Sequence, residues 1–311
     1  MTLPNFFILG AAKSGTTSLY HYLKGHPQIY MSPVKEPEFF SFMGQRIDRG
    51  DHRLAPGIFA VTDPAAYEAL FKDAGGKPVV GEASPSYLYV PEAAQKIRTW
   101  IPDPKFVAIL RDPAERAYSH FNMRRNKGSA NSHETLDSFE EALKAEEARI
   151  REGWACGWHY KARGFYYGQV KRYHDLFGRE RLRVFLYEDL CSDPRRVLKE
   201  ISRFLGVDDS FMPDLKRVHN KGRYQTRPRS RLLQGFLMRE NPFKSLFRPL
   251  LGPEGRRWMR RSLHRMNTAV GSERPAGLDP RTRKHLVEEY REDILKLQGL
   301  IGRDLSAWLE A

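Results

Sequence analysis

FFILGAAKSGTTS, residues 6–18, decides the fold, because a short apolar run leads into a glycine-bracketed loop that ends in hydroxyl residues. Such a stretch is typical of a buried strand, a phosphate-binding loop and the start of a helix. Backbone N–H groups of the loop and of the helix N-terminus would point at an anion, and Lys13 adds a full positive charge. The pattern predicts an α/β fold with an anion site after its first strand.

The loop departs from the nucleotide-binding P-loop at its most diagnostic position. The spacing from Gly10 to Gly15 matches G-x-x-x-x-G, but Thr16 and Thr17 stand where that motif has lysine and a hydroxyl residue. The lysine lies inside the loop instead, at Lys13. An NTP-dependent kinase is therefore the alternative function, disfavoured by the missing lysine and by the lack of an Mg-binding carboxylate motif.

A second anion-binding segment is FVAILRDPAERAYSHFNM, residues 106–123. It indicates a buried strand followed by a helix that begins with Asp112 as its cap and a proline in its first turn. Arg111 then lies at the carboxyl end of the strand, and Ser119 lies about two turns along the helix. Ligands of open parallel sheets bind at these strand ends, so Arg111 and Ser119 predict a second anion site beside the first.

Three segments resemble the PAPS-dependent sulfotransferases, whose donor is 3′-phosphoadenosine 5′-phosphosulfate. AAKSGTTSL is similar to the family's 5′-phosphosulfate loop, LRDPAERAYSHF to its 3′-phosphate element, and NKGRYQTRPRS, at 220–230, to a late basic loop that closes over the donor. The resemblance extends along roughly the first 230 residues and identifies the chain as a member of this family. The residues that it assigns to the donor are Lys13, Ser14, Gly15, Thr16, Thr17, Ser18, Arg111, Ser119, Lys221, Gly222 and Arg223.

The catalytic base is implied by a resemblance to the heparan sulfate type of carbohydrate sulfotransferase. SPVKEPEFFSF is similar to the Glu-x-x-Phe-Phe context whose glutamate acts as base in those enzymes, which implies Glu36. Glu38 and Glu82 are the alternatives. Cytosolic phenol and steroid sulfotransferases use a histidine after the second strand, and VVGEASPSYLYV, residues 79–90, contains none.

The resemblance implies transfer of a sulfuryl group from PAPS to a hydroxyl or amine of a carbohydrate or glycolipid. In-line displacement would leave 3′-phosphoadenosine 5′-phosphate, with Glu36 as base and Lys13 stabilising the charge on the leaving phosphate. A small-molecule or peptide acceptor is the other reading of the same chemistry. No metal is expected, because the sequence has neither H-E-x-x-H nor a cluster of cysteines and histidines.

The length and pattern favour one large α/β core. With 311 residues and 41% hydrophobic content, we predict a single domain with a donor-binding core over 1–230 and a helical, basic C-terminal extension over 231–311. Alternating strands and helices predict a P-loop-like, three-layer fold in which helices flank a central parallel sheet. Residues 280–309 are expected to form a packing helix that ends at Trp308. The predicted strands are residues 6–9, 79–81, 106–110 and 183–187.

Much of the net charge of +14 gathers in residues 217–265, where many cations stand among apolar side chains. Part of it can steer the anionic donor; an anionic acceptor, peripheral contact with an acidic membrane and a solvated basic face are the alternatives. No helix-turn-helix, zinc or aromatic-ribbon motif supports nucleic-acid binding. Two cysteines and no apolar run of 18 residues lead us to expect a cytoplasmic protein.

Residues 153–163 interleave Trp154, Trp158 and Tyr160 with basic residues. Apolar packing is the default interpretation of such a segment, and stacking on a sugar is the functional alternative. None of the ten histidines, His120 included, is assigned a role, because they show no ligand spacing.

Overall fold

The part of the chain that the computed structural model describes comprises residues 3–45, 60–125, 134–215 and 277–310, with the backbone of two short strands at 226–228 and 268–270. The predicted donor contacts Lys221, Gly222 and Arg223 lie outside the described residues. The side chains of the basic region 217–265 lie outside them as well.

A five-stranded parallel sheet lies at the centre, with the strand order β2-β3-β1-β4-β5. Its strands are β1 (Phe6–Gly10), β2 (Ile29–Met31), β3 (Val79–Ala83), β4 (Lys105–Leu110) and β5 (Leu182–Leu186). The four predicted strands are confirmed with bounds that differ by a residue or two. The pattern did not predict β2, because three residues are too few to show an alternation. Two further strands, β6 (Thr226–Pro228) and β7 (Thr268–Val270), form an antiparallel pair.

Helices flank the sheet, and several begin with a proline in the first turn, where its missing N–H is harmless. They are α1 (Thr16–Lys24), α2 (Phe39–Phe42), α3 (Pro64–Glu68), α4 (Pro91–Trp100), α5 (Pro113–Arg125), α6 (Phe139–Arg151), α7 (Tyr166–Phe177), α8 (Tyr187–Ser192), α9 (Pro194–Leu205) and α10 (Pro280–Ile301). None of these helices combines the length and the apolar character needed to cross a bilayer.

The C-terminal helix is shorter than predicted. It ends at Ile301 because Gly302 follows with a φ of 63°, a left-handed conformation that favours glycine. Trp308 is nevertheless buried, and it packs from a separate 3₁₀ turn at Ser306–Leu309.

Side chains that alternate along β1 create two hydrophobic cores, one on each face of the sheet. Phe7 and Leu9 belong to the larger core, with residues of α4, α5, α7 and α10. Phe6 and Ile8 belong to the smaller core, with residues of α1 and α9. This arrangement confirms the predicted three-layer α/β fold.

The strand order places three loops side by side at the carboxyl edge of the sheet. β1 lies between β3 and β4, so the loops that follow these strands, near residues 11–15, 84–90 and 111–112, are neighbours. A crevice outside the carboxyl ends of parallel strands is the usual position of a ligand site.

Candidate active site

A cleft of about 670 Å³ opens at this edge, within the volume range that is typical of small-molecule sites. It brings together eight of the residues that the sequence singled out, which are Lys13, Gly15, Thr16, Thr17, Ser18, Glu36, Arg111 and Ser119. The remaining lining residues are Ala12, Lys35, Glu38, Phe42, Pro85, Ser86, His120, Met123, Arg124, Cys156, Gly157, Arg163 and Tyr187.

The loop after β1 presents its backbone to the cleft. Gly15 has a φ of 87°, and a Cβ there would lie only 3.0 Å from Cδ2 of Leu190, so both conformation and space require glycine. Helix α1 begins here without a side-chain cap and without an acidic residue in its first turn. Its N-terminal N–H groups and partial positive charge therefore suit an anion.

Two cations, Lys13 and Arg111, flank this loop. The Arg111 guanidinium donates to the Lys13 carbonyl over 3.5 Å, lies 5.1 Å from the centre of the Tyr187 ring and pairs with Glu115 at 3.2 Å. Burial, followed by the charge of Arg111, lowers the pKa of Lys13. An anion in contact with both groups would offset their mutual repulsion.

The two predicted serines differ in position. Ser119 lines the cleft from α5, as the spacing from Arg111 predicted. Ser14 does not line it: its side chain is fully buried, and its Oγ has no hydrogen-bond partner among the described atoms. The Ser14 N–H donates to the Ala11 carbonyl over 3.3 Å, so neither group is directed at a ligand.

A turn between β2 and α2 carries Glu36 and Glu38. The Glu36 N–H donates to the Ala83 carbonyl over 3.0 Å, and the Glu38 N–H donates to Ser84 Oγ over 3.0 Å. These two hydrogen bonds attach the turn to the end of β3. In the sheet, β3 lies on one side of β1, which precedes the loop of Lys13, and β4 lies on the other side.

Backbone strain is concentrated in this cleft. Within the described ranges, the non-glycine residues with positive φ are Lys13 at 73°, Glu36 at 61° and Glu38 at 55°, and all three line the cleft. Left-handed conformations of such residues persist only where the surrounding structure imposes them, and they cluster at functional sites.

Glu82 is linked to this turn through Ser84, whose Oγ accepts the Glu38 N–H and donates to the Glu82 carboxylate. Its Oε1 accepts from the Tyr67 and Tyr87 hydroxyls over 2.6 and 2.8 Å, and its Oε2 accepts from Ser84 Oγ over 2.6 Å. Burial raises the pKa of Glu82 to about 7, although these hydrogen bonds act in the opposite direction. The Glu82 carboxyl is fully buried and does not line the cleft, so geometry removes it from the candidate bases.

Glu36 and Glu38 have different surroundings. The Glu36 side chain is 24% exposed and pairs with Lys35, whereas Glu38 is only 4% exposed and its Oε2 has no hydrogen-bond partner among the described atoms. Burial, and then the charge of Glu36, raise the pKa of Glu38 to about 8. Glu38 is therefore a protonated acid at neutral pH.

Two buried arginines form a wall that the sequence did not reveal. Arg163 donates to the carbonyls of Pro85 and Cys156 over 3.0 and 3.3 Å, and Arg124 donates to the Gly157 carbonyl over 3.0 Å. They bring α5 and the segment 153–163 together at the cleft. Sequence spacing offers no signal for this, because the two arginines belong to separate elements.

The aromatic residues of this segment mostly pack. Trp158 and Tyr160 are buried, at 1% and 0% exposure, which agrees with the default interpretation rather than with stacking on a sugar. Only the small residues Cys156 and Gly157 and the cation Arg163 line the cleft from this segment.

His120 lies in the cleft wall with an Nδ1 that has no partner among the described atoms. Burial, and then the charge of Arg163, hold its pKa well below the ordinary range, so the imidazole is neutral. Across the described ranges, no three histidine, cysteine or acidic residues are grouped as metal ligands would be.

Comparisons with known proteins agree on one family. The family model described as "Sulfotransferase family" matches residues 4–211. A crystal structure of a sulfotransferase from Alicyclobacillus acidocaldarius is 34% identical, with a TM-score of 0.73 and full coverage of both chains.

Curated relatives match over a shorter region. The human bifunctional heparan sulfate N-deacetylase/N-sulfotransferase 3 is 29% identical over 213 residues, which cover 66% of this chain and 22% of that protein. Mouse carbohydrate sulfotransferase 15 is 25% identical, over 66% of this chain and 44% of that protein. The membrane-associated sulfotransferase kil1 of Dictyostelium discoideum is 25% identical, over 67% of this chain and 57% of that protein. The matches thus span between about a fifth and just over half of these relatives.

Proposed function

Since this chain belongs to the sulfotransferase family, we propose that it moves a sulfuryl group from PAPS to a hydroxyl or amine of a carbohydrate or glycolipid. The observation that carries the proposal is the cleft in which Lys13 and Arg111 stand together with Glu36. The names of the heparan sulfate and carbohydrate sulfotransferases among its relatives support a carbohydrate acceptor.

The donor side of the cleft consists of Ala12, Lys13, residues 15–18, Arg111 and Ser119, with the buried Ser14 between them in sequence. Its backbone donors, two cations and hydroxyls suit a nucleotide that carries a 5′-phosphosulfate and a 3′-phosphate. We assign the 5′-phosphosulfate to the loop with Lys13 and the 3′-phosphate to Arg111 and Ser119. Lys221, Gly222 and Arg223 remain proposed contacts of the same donor.

The acceptor side consists of Glu36, Glu38, His120, Arg124 and Arg163. In the proposed reaction, the bond from sulfur to the oxygen of the 5′-phosphate breaks as the acceptor oxygen or nitrogen bonds to sulfur. The acceptor proton passes to the Glu36 carboxylate, and the negative charge on the departing phosphate is stabilised by Lys13. PAPS supplies the sulfuryl group, and the protein supplies charge, orientation and the base.

Glu36 is preferred over Glu38 as the base because of their different surroundings. The Glu36 carboxylate is close enough to raise the pKa of Lys13, which links the base to the proposed leaving-group cation. Glu38, with its pKa raised to about 8, is mostly protonated at neutral pH, so only a small fraction of it is available there as a proton acceptor. Its unpartnered Oε2 is instead a hydrogen-bonding group for the acceptor.

Calorimetric titration with 3′-phosphoadenosine 5′-phosphate tests the donor assignment, with ATP plus Mg²⁺ as the comparison. We expect tight binding of the bisphosphate that does not change when EDTA is added. A preference for ATP that depends on Mg²⁺ would support a kinase instead. Transfer of ³⁵S from labelled PAPS to polysaccharides, glycolipids, phenols and peptides would then identify the acceptor class.

A further inference from the structure

Helix α10 lies beyond the family match, which ends at residue 211, yet it reaches the donor side. Arg283, in its first turn, pairs through Nη2 with Oδ2 of Asp112 over 2.8 Å. Arg303, just after the helix, makes two bonds of 3.0 Å to Asp189, which accepts the Leu186 N–H at the start of α8. Asp112 directly follows Arg111, and Asp189 lies two residues after Tyr187; both Arg111 and Tyr187 line the cleft.

Arg283 takes part in a chain of alternating charges that ends at Arg111. Glu115 Oε2 pairs with Arg111 over 3.2 Å, and Glu115 Oε1 lies 3.9 Å from Arg283 Nη1. Asp112 caps α5 by accepting the N–H groups of Ala114 and Glu115 over 2.9 and 3.0 Å, while its other oxygen holds Arg283. Glu115 therefore lies between the two guanidinium groups, and Asp112 pairs with Arg283 beside it.

We propose that Arg283 is a positioning residue for donor recognition: by neutralising Asp112 and Glu115, it leaves Arg111 able to bind the 3′-phosphate. The inference rests on the proposed function, which assigns Arg111 to that phosphate. Arg283 does not line the cleft, so its action passes through the two carboxylates.

Most of these charged side chains are largely shielded from solvent. The side chains of Arg283, Asp112 and Arg111 are 20%, 10% and 21% exposed, so solvent and salt screen their charges only in part, whereas Glu115 is 39% exposed and is screened more. Without Arg283, Glu115 would keep only its pairing with Arg111 among these groups, and the negative charges of Glu115 and Asp112 would lose the second cation. They would hold Arg111 more firmly and would repel an incoming phosphate.

The test compares two nucleotides that differ only in the 3′-phosphate. Calorimetry would give Kd values of 3′-phosphoadenosine 5′-phosphate and adenosine 5′-monophosphate, the latter by displacement if it binds weakly. We expect Arg283→Gln to weaken bisphosphate binding by roughly fivefold or more and to change monophosphate binding less than twofold. Arg281→Gln is the matched control, because Arg281 is an exposed arginine of the same turn, and it should leave both constants unchanged.

A second substitution separates positioning from general damage. Adding Glu115→Gln to Arg283→Gln should restore bisphosphate affinity, because it removes the carboxylate that would hold Arg111. Equal weakening of both nucleotides, or no recovery in the double variant, would overturn the proposal. A wild-type protein that does not prefer the bisphosphate to the monophosphate would refute the 3′-phosphate assignment itself, which is a separate failure.

Discussion

The proposed donor side and the proposed acceptor side of the cleft are constructed differently. The donor side consists mainly of a short loop, whose backbone faces the cleft, and of Arg111. The loop follows β1 and Arg111 follows β4, and these two strands are neighbours in the sheet. The acceptor side consists of side chains from three separate segments, and Glu38, His120, Arg124 and Arg163 are each at least nine-tenths buried. One side is specified by a local motif, and the other exists only after tertiary packing.

The difference indicates which half of such a site tolerates amino-acid substitution. A phosphate cradle depends on a glycine, a helix start and two cations, so few substitutions preserve it. Side chains from distant segments can be exchanged one at a time without rebuilding the sheet. Substitutions on the two sides should therefore separate donor binding from transfer.

Glu36→Gln should show the largest separation. Loss of the base is expected to reduce transfer from labelled PAPS by roughly 1,000-fold, while the Kd of 3′-phosphoadenosine 5′-phosphate stays within about twofold. Glu38→Gln is the matched comparison, with a smaller loss expected. A larger loss in Glu38→Gln would transfer the role of base to Glu38.

Lys13→Ala should lower both the rate of transfer and the affinity for the donor, but the rate more than the affinity. We expect kcat to fall roughly 100-fold, because the cation acts on charge that develops in the transition state, and bisphosphate affinity to fall by about tenfold or less. Single-turnover kinetics with a parallel binding titration would measure both. Unchanged turnover would remove Lys13 from the leaving group.

Paired glycine substitutions test the contrast without altering charge. Gly15→Ala places a Cβ in a left-handed residue and 3.0 Å from Leu190, so we expect roughly tenfold weaker bisphosphate binding. Gly157→Ala places a Cβ 1.8 Å from Arg124 Nη2, which must move, and it should lower the Tm while leaving bisphosphate binding within about twofold. Equal effects on binding would contradict the division into two sides.

Glu38→Gln should change the pH dependence of stability by a smaller amount. The folded state raises the pKa of Glu38 from 4.5 to about 8, so its stabilising contribution is complete below pH 4.5 and is lost as the pH rises towards 8. The Tm of the variant relative to wild type should therefore rise by a few degrees between pH 5 and 8. A difference in Tm that does not vary with pH would show that Glu38 is ionised throughout. Glu82 is present in both proteins, and it enters the comparison only through the charge interaction by which it raises the pKa of Glu38.

Most of the donor side could be predicted from the sequence, because each feature is local. An apolar run before Gly10, a proline after Asp112 and the distance from Arg111 to Ser119 place those groups at strand ends and on one helix. Ser14 differs from these residues in that its side chain is fully buried, which the sequence does not indicate. The late basic loop stays a prediction.

The acceptor side could not be predicted in the same way. Glu38 looks like any charged residue of a turn, and its burial and missing partner arise only when β3 and Glu82 fasten that turn. Arg163 lines the cleft and donates a hydrogen bond to the Pro85 carbonyl, 78 positions away in sequence. Only long-range contacts distinguish these residues from ordinary surface charges.

The two ion pairs of α10 also bear on the order of folding. Arg283 and Asp112 are 171 positions apart, and Arg303 and Asp189 are 114 apart. Closing such long loops is entropically unfavourable and tends to come late, after the neighbouring strands and helices have paired. During synthesis, the sheet and the lysine loop would therefore form first, and Asp112 and Glu115, beside Arg111, would gain Arg283 as a partner only when the last helix docks.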